Sequence, residues 1–382
     1  MRKIVCLATS PWYPIPTRKQ QVMSRIPDAE ILYFDPSVTY LAPLKDKAAR
    51  PGLSNYKKEG VHPQENITVY SLPPVLPFFY KFRWINKLNQ RRMARFVRRK
   101  MREHGFTDVL LWVYSPVTAD LVDLVPHKGL VYDCVDRHSA YGGLMAPALV
   151  DRMELELAGM TDRTFATADA LAERLRAAQP NTVMIPNGAN FERFVQAAQP
   201  QPVPDDMQGI PHPIFGFVGA LHSCIEYGYL EAAAKARPDW SFVLIGKEKP
   251  GVDLSALHAM PNVHFLGLKP NEQLPQYLAH FDACLNLFAK SDLSKDVSPL
   301  KFYEYLATGH PIVSTRQPDQ ILQYAPLIEI ADSPEEFIAA CEASLTDTAP
   351  ERTKARIEAG RACSWDSRVA QMCEILQEQG IL

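Results

Sequence analysis

Short apolar runs rich in Val, Ile, Leu and Phe recur along the chain, each followed by a stretch of helical character. "RKIVCLAT", "ILYF", "ITVYSL", "DVLLWVY", "GLVYDCV", "RTFAT" and "TVMIP" form a first set. "IFGFVGAL", "SFVLIG", "VHFLG", "ACLNLF", "PIVST" and "IEIA" form a second. Short β-rich runs separated by helices indicate parallel, doubly wound sheets. Helices are expected at 168–178 behind a capping-type Thr167, and at 228–236, 272–280, 299–308 and 334–346. Between the two sets lies "AAQPQPVPDDMQGIPHP" (197–213), with five prolines and no periodicity, which breaks the pattern and reads as a linker. The expected fold is therefore α/β, with Rossmann-like domains over 1–196 and 214–350. A last helical segment, 351–382, includes "SRVAQMCEILQEQ", whose packing partner stays open.

A chain of 382 residues is long enough for two such cores. Its 47% hydrophobic and 22% charged residues are those of a globular protein. Charge is unevenly spread. Residues 1–200 carry 27 Lys and Arg against 19 Asp and Glu, and residues 201–382 carry 14 against 24, so only the first half offers a basic surface. The seven cysteines are odd in number, scattered and without a C-x-x-C pair, which favours a reduced, cytoplasmic compartment. The opening "MRKIVCLATSPWYP" reads as a first strand and not a signal peptide. No run approaches the roughly 18 apolar residues of a membrane span, so membrane contact would be peripheral, on the inner face.

The stretch richest in chemistry is "DVSPLKFYEYLATGHPIVS" (296–314). Ser298 can cap a helix, Pro299 suits its first turn, and Gly309 ends it. That places the helix start, including Leu300, at the carboxyl end of "ACLNLF", where open α/β sheets bind ligands. Unpaired N–H groups and the helix dipole attract an anion there, and Lys301 adds a full charge. Glu304 shares a face with Lys301 and can accept both hydroxyls of a ribose. An anion pocket beside a diol acceptor suits a nucleotide diphosphate. The bland alternative is a surface ion pair. Leu300, Phe302, Tyr303, Tyr305 and Leu306 make the helix apolar on nearly every other side, which argues against it.

In the first half, "DCVDRHSAYGG" follows a strand, and Asp133, Asp136, Arg137 and His138 form a polar cluster at its end. Such a group could orient a ligand or take up a proton. Capping of the next helix is the competing role. The loop of this cluster is expected to face a cleft between the two domains, and Ser10, Arg18 and Gln20, which follow the first strand, are placed along the same cleft. "YKFRWINKLNQRRMARFVRRKMREH" (80–104) holds ten Lys and Arg and one acid, Glu103. Phe82, Ile85, Leu88, Phe96 and Val97 form partial apolar stripes beside Trp84, a pattern that fits an anionic membrane surface. A solvated helix face is the plain alternative. No nucleic-acid recognition module accompanies the basic run. The chain holds no D-x-D triplet and no H-E-x-x-H spacing, so neither a metal nor another cofactor is expected.

Asp296-x7-Glu304 followed by "YLATGHPIVST" resembles the E-x7-E segment of glycosyltransferase family 4, transferases of the GT-B class. "IPNGANFERF" (185–194), "GFVGALHS" (216–223) and "PNVHFLGLKPNEQLPQYLAHFDACLNLF" (261–288) are similar to further family segments, in the family's order. "VYDCVDRHSAYGG" (131–143) and "PTRKQQVMSRI" (16–26) resemble its bacterial teichuronic-acid and capsule-polysaccharide branch. The resemblance implies a GT-B fold with two domains facing across a cleft, the first for the acceptor and the second for the donor. It makes Glu304 the ribose ligand and Asp296 the sugar-facing acid, with Lys301, Ser298, Pro299, Leu300, Gly219, His222 and Gly246 completing the donor site. Asp296, Asp136 and His138 become the catalytic candidates. The chain departs from the family in having Asp at 296, and in a loop, "LHSCIEYGY", that offers only His222 as a partial cation. The implied reaction moves a sugar from a nucleotide-sugar donor, UDP-linked, to a cell-surface polysaccharide or lipid-linked acceptor, with retention and without metal. A sugar-nucleotide epimerase of the same fold and a catalytically silent sugar-nucleotide binder are the alternatives.

Overall fold

In the computed structural model, which describes residues 1–140, 146–291 and 294–382, the chain divides into two compact units. The first comprises Met1–Pro186 and Val369–Leu382, and the second Asn187–Arg368.

The first unit is built on an eight-stranded sheet of order β3-β4-β2-β1-β5-β6-β7-β8. Its strands are β1 (Arg2–Leu7), β2 (Ala29–Asp35), β3 (Val61–Gln64), β4 (Ile67–Ser71), β5 (Leu110–Val113), β6 (Gly129–Cys134), β7 (Arg163–Ala166) and β8 (Val183–Met184). Pairing is parallel except between β3 and β4. β3, "VHPQ", is the strand that the apolar pattern does not announce. It is polar, contains Pro63 and is mostly exposed, as an edge strand can be. β5 and β6 are buried along their whole length, because helices cover both faces.

The second unit carries a six-stranded, all-parallel sheet of order β11-β10-β9-β12-β13-β14. Its strands are β9 (Ile214–Val218), β10 (Ser241–Ile245), β11 (Val263–Gly267), β12 (Ala283–Asn286), β13 (Ile312–Thr315) and β14 (Glu329–Ala331). Each corresponds to a run read from the sequence. The helix Leu300–Thr308 lies between β12 and β13 in the chain. It ends at Gly309, which is left-handed at φ 77° and packs so closely on Thr353 and Ile357 that a Cβ would sit within about 3 Å of both.

The domain boundary lies earlier than the Pro-rich run. Residues 187–196 belong to the second unit because their polar and apolar groups are used there. Asn187 bonds Ser298 twice, Ala189 forms a bridge with Ser364, and Phe191 and Phe194 join the core. The C-terminal segment is also divided. Pro350–Ala362 packs on Leu300–Thr308, where Gly360 allows contact with the backbone of Ala307. The helix Trp365–Glu378 instead returns Val369, Met372, Cys373 and Leu376 to the first core, among Ile4, Trp112 and Phe165. Thr167 does not cap its helix. Ala168 holds the cap position, and the Thr167 hydroxyl donates to the Val135 carbonyl. No helix among the described residues is long and apolar enough to cross a membrane.

Candidate functional site

The helix Leu300–Thr308 begins without a side-chain cap. Pro299 occupies the cap position, and the Ser298 hydroxyl is engaged elsewhere, accepting from the Asn187 N–H at 2.9 Å. Ser298 is therefore a strut for the segment that opens the second unit. The consequence for the site is favourable. The N–H groups of Leu300 and Lys301 have no acceptor within the helix, the arrangement by which a helix start attracts an anion.

Tyr305 ties this helix to the sheet. Its hydroxyl accepts from the Val218 N–H at 2.8 Å, at the end of β9. That contact holds the loop after β9 against the helix mouth. Gly219 opens the loop at φ 153°, and a Cβ there would lie 2.8 Å from Lys301 Nζ. Gly246, after β10, has φ 157°, and a Cβ there would lie 1.8 Å from the Gly219 carbonyl oxygen. The two glycines thus bring two strand ends together and leave room for the lysine. His222 is exposed in this loop, and its Nδ1 accepts from the Cys224 N–H at 3.4 Å.

Lys301 Nζ lies 4.1 Å from the centre of the Phe217 ring and 5.2 Å from that of Phe288. Burial pushes its pKa down to about 8, while Cys224 and Glu304 act weakly the other way. Burial likewise pushes the Glu304 carboxyl up to about 7, against Lys301 and Arg193. Both groups are half-buried and both are displaced toward their neutral forms. A ligand that brings negative charge to Lys301 and hydroxyl donors to Glu304 would reverse both displacements. Arg193 was missed from the sequence. It lies in "NFERF", on a one-turn helix packed beside Leu300–Thr308, and only folding reveals its proximity to Glu304. The aromatic faces around Lys301 were missed for the same reason. Asp296 is buried in a short turn, Ser294–Asp296, four residues ahead of the helix.

In the first unit the structure redistributes the expected roles. Arg18 Nε bonds both Asp133 carboxylate oxygens, at 3.1 and 2.9 Å, and both side chains are buried. Arg18 Nη1 also donates to the Pro186 carbonyl at 2.9 Å. The pair therefore belongs to the interior and not to a ligand-facing surface, since a buried charge needs its partner. Gln20 forms a capping box with Thr17 and bonds the Pro11 and Trp12 carbonyls, so it shapes the loop after β1. The Ser10 hydroxyl is within 2.9 Å of Thr17 Oγ1.

His138 is buried with Nε2 3.0 Å from the Tyr114 carbonyl oxygen, and burial holds it below the usual imidazole range. An Nε2–H donated to that carbonyl would leave Nδ1 as the basic nitrogen. Asp136 is exposed and Arg137 half-buried. The glycines of "SAYGG" lie outside the described residues. Lys19 was missed. It is buried 5.7 Å from the centre of the Tyr114 ring, and burial lowers its pKa while Asp136 and Asp133 oppose the shift. No group of three or more His, Cys, Asp or Glu among the described residues is arranged to hold a metal ion.

Residues 212–347 match the family described as Glycosyl transferases group 1. A Bacillus subtilis (strain 168) protein named as a teichuronic acid biosynthesis glycosyltransferase, TuaH, is 27% identical over 279 residues, covering 69% of this chain and 70% of that protein. Among solved structures, sucrose-phosphate synthase from Thermosynechococcus elongatus is similar at TM-score 0.71 and 14% identity, over 99% of each chain. The E. coli trehalose-6-phosphate protein bound with UDP-2-fluoro glucose has TM-score 0.71 and 12% identity, covering 100% of this chain and 99% of its own. Anabaena Alr3699/HepE in complex with UDP and glucose has TM-score 0.63 and 16% identity, covering 99% of this chain and 100% of its own. At these identities the structural likeness is one of fold.

Proposed function

Given a glycosyltransferase of GT-B fold, with a glycosyl transferases group 1 domain over residues 212–347, we propose that it transfers a sugar from a UDP-linked donor to a hydroxyl of a cell-surface polysaccharide or lipid-linked acceptor. The observation that carries the donor half is the pairing of Lys301 and Glu304 at an uncapped helix mouth, beside the glycine that admits Lys301. Lys301 Nζ and the first-turn N–H groups take the diphosphate, and Glu304 accepts from the ribose hydroxyls. UDP is the favoured nucleotide because the E. coli and Anabaena structures hold UDP or a UDP-sugar on the same fold. The acceptor class follows the Bacillus relative.

In the proposed reaction the bond from the sugar's anomeric carbon to the diphosphate oxygen breaks as the acceptor oxygen bonds to that carbon on the same face. The acceptor hydroxyl proton passes to the leaving diphosphate oxygen. Charge accumulates on that leaving group, where Lys301 and the helix end stabilise it without a metal. Asp296 meets the sugar. The exposed basic side of the helix Arg83–Glu103 is suited to an anionic membrane surface, from which a lipid-linked acceptor could be reached at the cytoplasmic face.

Calorimetric titration with UDP and a panel of UDP-sugars, on wild type and Asp296→Ala, tests this reading. Asp296→Ala should bind UDP as wild type does while losing turnover, and wild-type transfer should persist in excess EDTA. No binding of any uridine nucleotide would sink the donor assignment. Epimerised donor without any transferred product would replace the reaction.

A further inference from the structure

We propose that Tyr305 is a positioning residue for the transfer: its phenol stands in for the strand partner that β9 lacks at its end, and so fixes Lys301 for the donor diphosphate. The proposal rests on the glycosyltransferase reading and deepens it at the same site.

The sheet of the second unit reverses its strand order at β9, which lies between β10 and β12. β9 pairs with β10 along its whole length, from Ile214 opposite Ser241 to Val218 opposite Ile245. Among the described residues its pairing with β12 ends after Phe215 opposite Ala283 and Gly216 opposite Cys284. Strands that part at such a reversal open a crevice, and the peptide groups at the splayed end need other partners. Successive residues of a parallel strand turn their peptide groups to opposite neighbours. Val218, two residues beyond Gly216, is therefore directed at the side where β12 has left.

Tyr305 supplies the partner. Its oxygen accepts from the Val218 N–H at 2.8 Å, and its hydroxyl donates to the Val218 carbonyl at 3.4 Å. Burial raises the phenol above its ordinary pKa, which keeps the hydrogen available for that carbonyl. The side chain is only 1% exposed, so loss of the hydroxyl would leave a buried N–H unpaired. The Gly219 N–H donates to the Ile245 carbonyl at 2.8 Å. The Val218–Gly219 peptide is thus held at its oxygen by Tyr305 and at its nitrogen by β10.

Lys301 lies against the residues on either side of Val218. Its Nζ is 4.1 Å from the centre of the Phe217 ring, and a Cβ on Gly219 would stand 2.8 Å from it. Lys301 and Tyr305 are four residues apart, one turn of the same helix. The Tyr305 contact therefore sets the distance between the turn that carries the ammonium and the strand end that walls it. Phe302, Tyr303 and Leu306 hold the helix in the core, but apolar burial is not directional and does not orient a peptide plane. A cation that stabilises a leaving diphosphate must be in place before charge develops, and the phenol secures that placement.

Calorimetric UDP titration from pH 7 to 10, on wild type and Tyr305→Phe and on both in a Lys301→Met background, tests the role. Tyr305→Phe should weaken UDP binding about ten-fold near neutral pH. In the Lys301→Met background the same change should weaken it by about two-fold at most, because the group it positions is gone. The alkaline fall in affinity should also move to higher pH in Tyr305→Phe. Burial lowers the Lys301 pKa to about 8, and an ammonium released from Phe217 and Gly219 regains water, so its pKa rises again. Cys224, from the loop after β9, and Glu304, from the same helix, are the titratable neighbours of Lys301 and are common to all four proteins. A tyrosine that serves the fold alone would weaken UDP equally in both backgrounds and leave the alkaline fall in place, and either result overturns the role. If Tyr305→Phe loses its cooperative melt, amide exchange on wild type decides. UDP should then slow exchange of the Val218 amide about ten-fold or more, and an unchanged rate overturns the proposal. Wild type that binds no UDP overturns the donor reading, and the positioning role with it.

Discussion

Glu304 and Lys301 sit on one face of a nine-residue helix, and burial drives both toward neutrality. Such displacement is tolerated when a ligand restores the charged forms. Two predictions follow from that cost. Glu304→Gln should weaken UDP binding by about 1–3 kcal/mol, through loss of a charged acceptor. The same variant should melt no lower than wild type at pH 8. The carboxyl's folded pKa, about 7, lies above its ordinary value, so its contribution to stability is lost as pH rises through 7. The advantage of the glutamine should shrink toward pH 5. A variant that binds UDP like wild type, or melts well below it at pH 8, contradicts this account. The second prediction concerns pH. Nucleotide affinity in calorimetry should fall below about pH 7 as Glu304 gains a proton, and above about pH 8 as Lys301 loses one. Lys301→Arg should abolish the alkaline fall. An affinity flat from pH 6 to 9 would remove these residues from the site.

At the scale of elements, the helix Arg83–Glu103 is two-sided. Ile85, Met93, Ala94, Phe96, Val97 and Met101 are buried in the first unit, the last five in a cluster with Leu32 and Leu111. The opposite side exposes Trp84, Leu88, Lys87, Arg91, Arg92, Arg95, Arg98 and Arg99. Ile85, Phe96 and Val97, read in the sequence as parts of partial apolar stripes, are therefore buried, while Trp84 is 67% exposed and Leu88 50%. Lys and Arg near an anionic bilayer contribute roughly 1 kcal/mol each, and exposed aromatic and aliphatic side chains can insert beside them. The protein should sediment with phosphatidylglycerol vesicles at low salt and release as salt rises. Replacing Arg91, Arg92, Arg95, Arg98 and Arg99 by Gln should abolish sedimentation and leave UDP binding intact, because Lys301 and Glu304 belong to the other unit. Wild type that ignores such vesicles in low salt would leave this side simply solvated.

For the whole molecule, the last fourteen residues matter to the first unit, although the second precedes them in the chain. Val369, Met372, Cys373 and Leu376 are buried there. Burying each large apolar side chain contributes about 1.5–3 kcal/mol, so their joint loss rivals the roughly 5–15 kcal/mol that holds a domain folded. Truncation after Arg368 should therefore unfold the first unit selectively, seen as rapid hydrogen exchange throughout β1, β5 and β7. Unchanged protection in those strands would show that the returning helix is dispensable.

Among the described residues, thirteen of the fourteen strands were legible because a strand buried on both faces must be apolar throughout, and a parallel strand needs a helix before the next. The helix 300–308 and its glycine stop were legible for an equally local reason, since backbone geometry at a helix end selects residue type by itself. Lys301 and Glu304 could be paired from spacing alone, being three residues apart on a helix. What depended on distance in space was not legible. Arg193 nears Glu304 only once its short helix docks, and Phe217 and Phe288 flank Lys301 only when β9 and β12 are neighbours. Arg18 and Asp133 looked like ligand-facing polar groups, and became a buried pair because the end of β6 meets the helix after β1. Periodicity and capping are written in adjacent residues, whereas burial and partnership are set by contacts between residues far apart in the chain, and these decide which polar groups remain for a ligand.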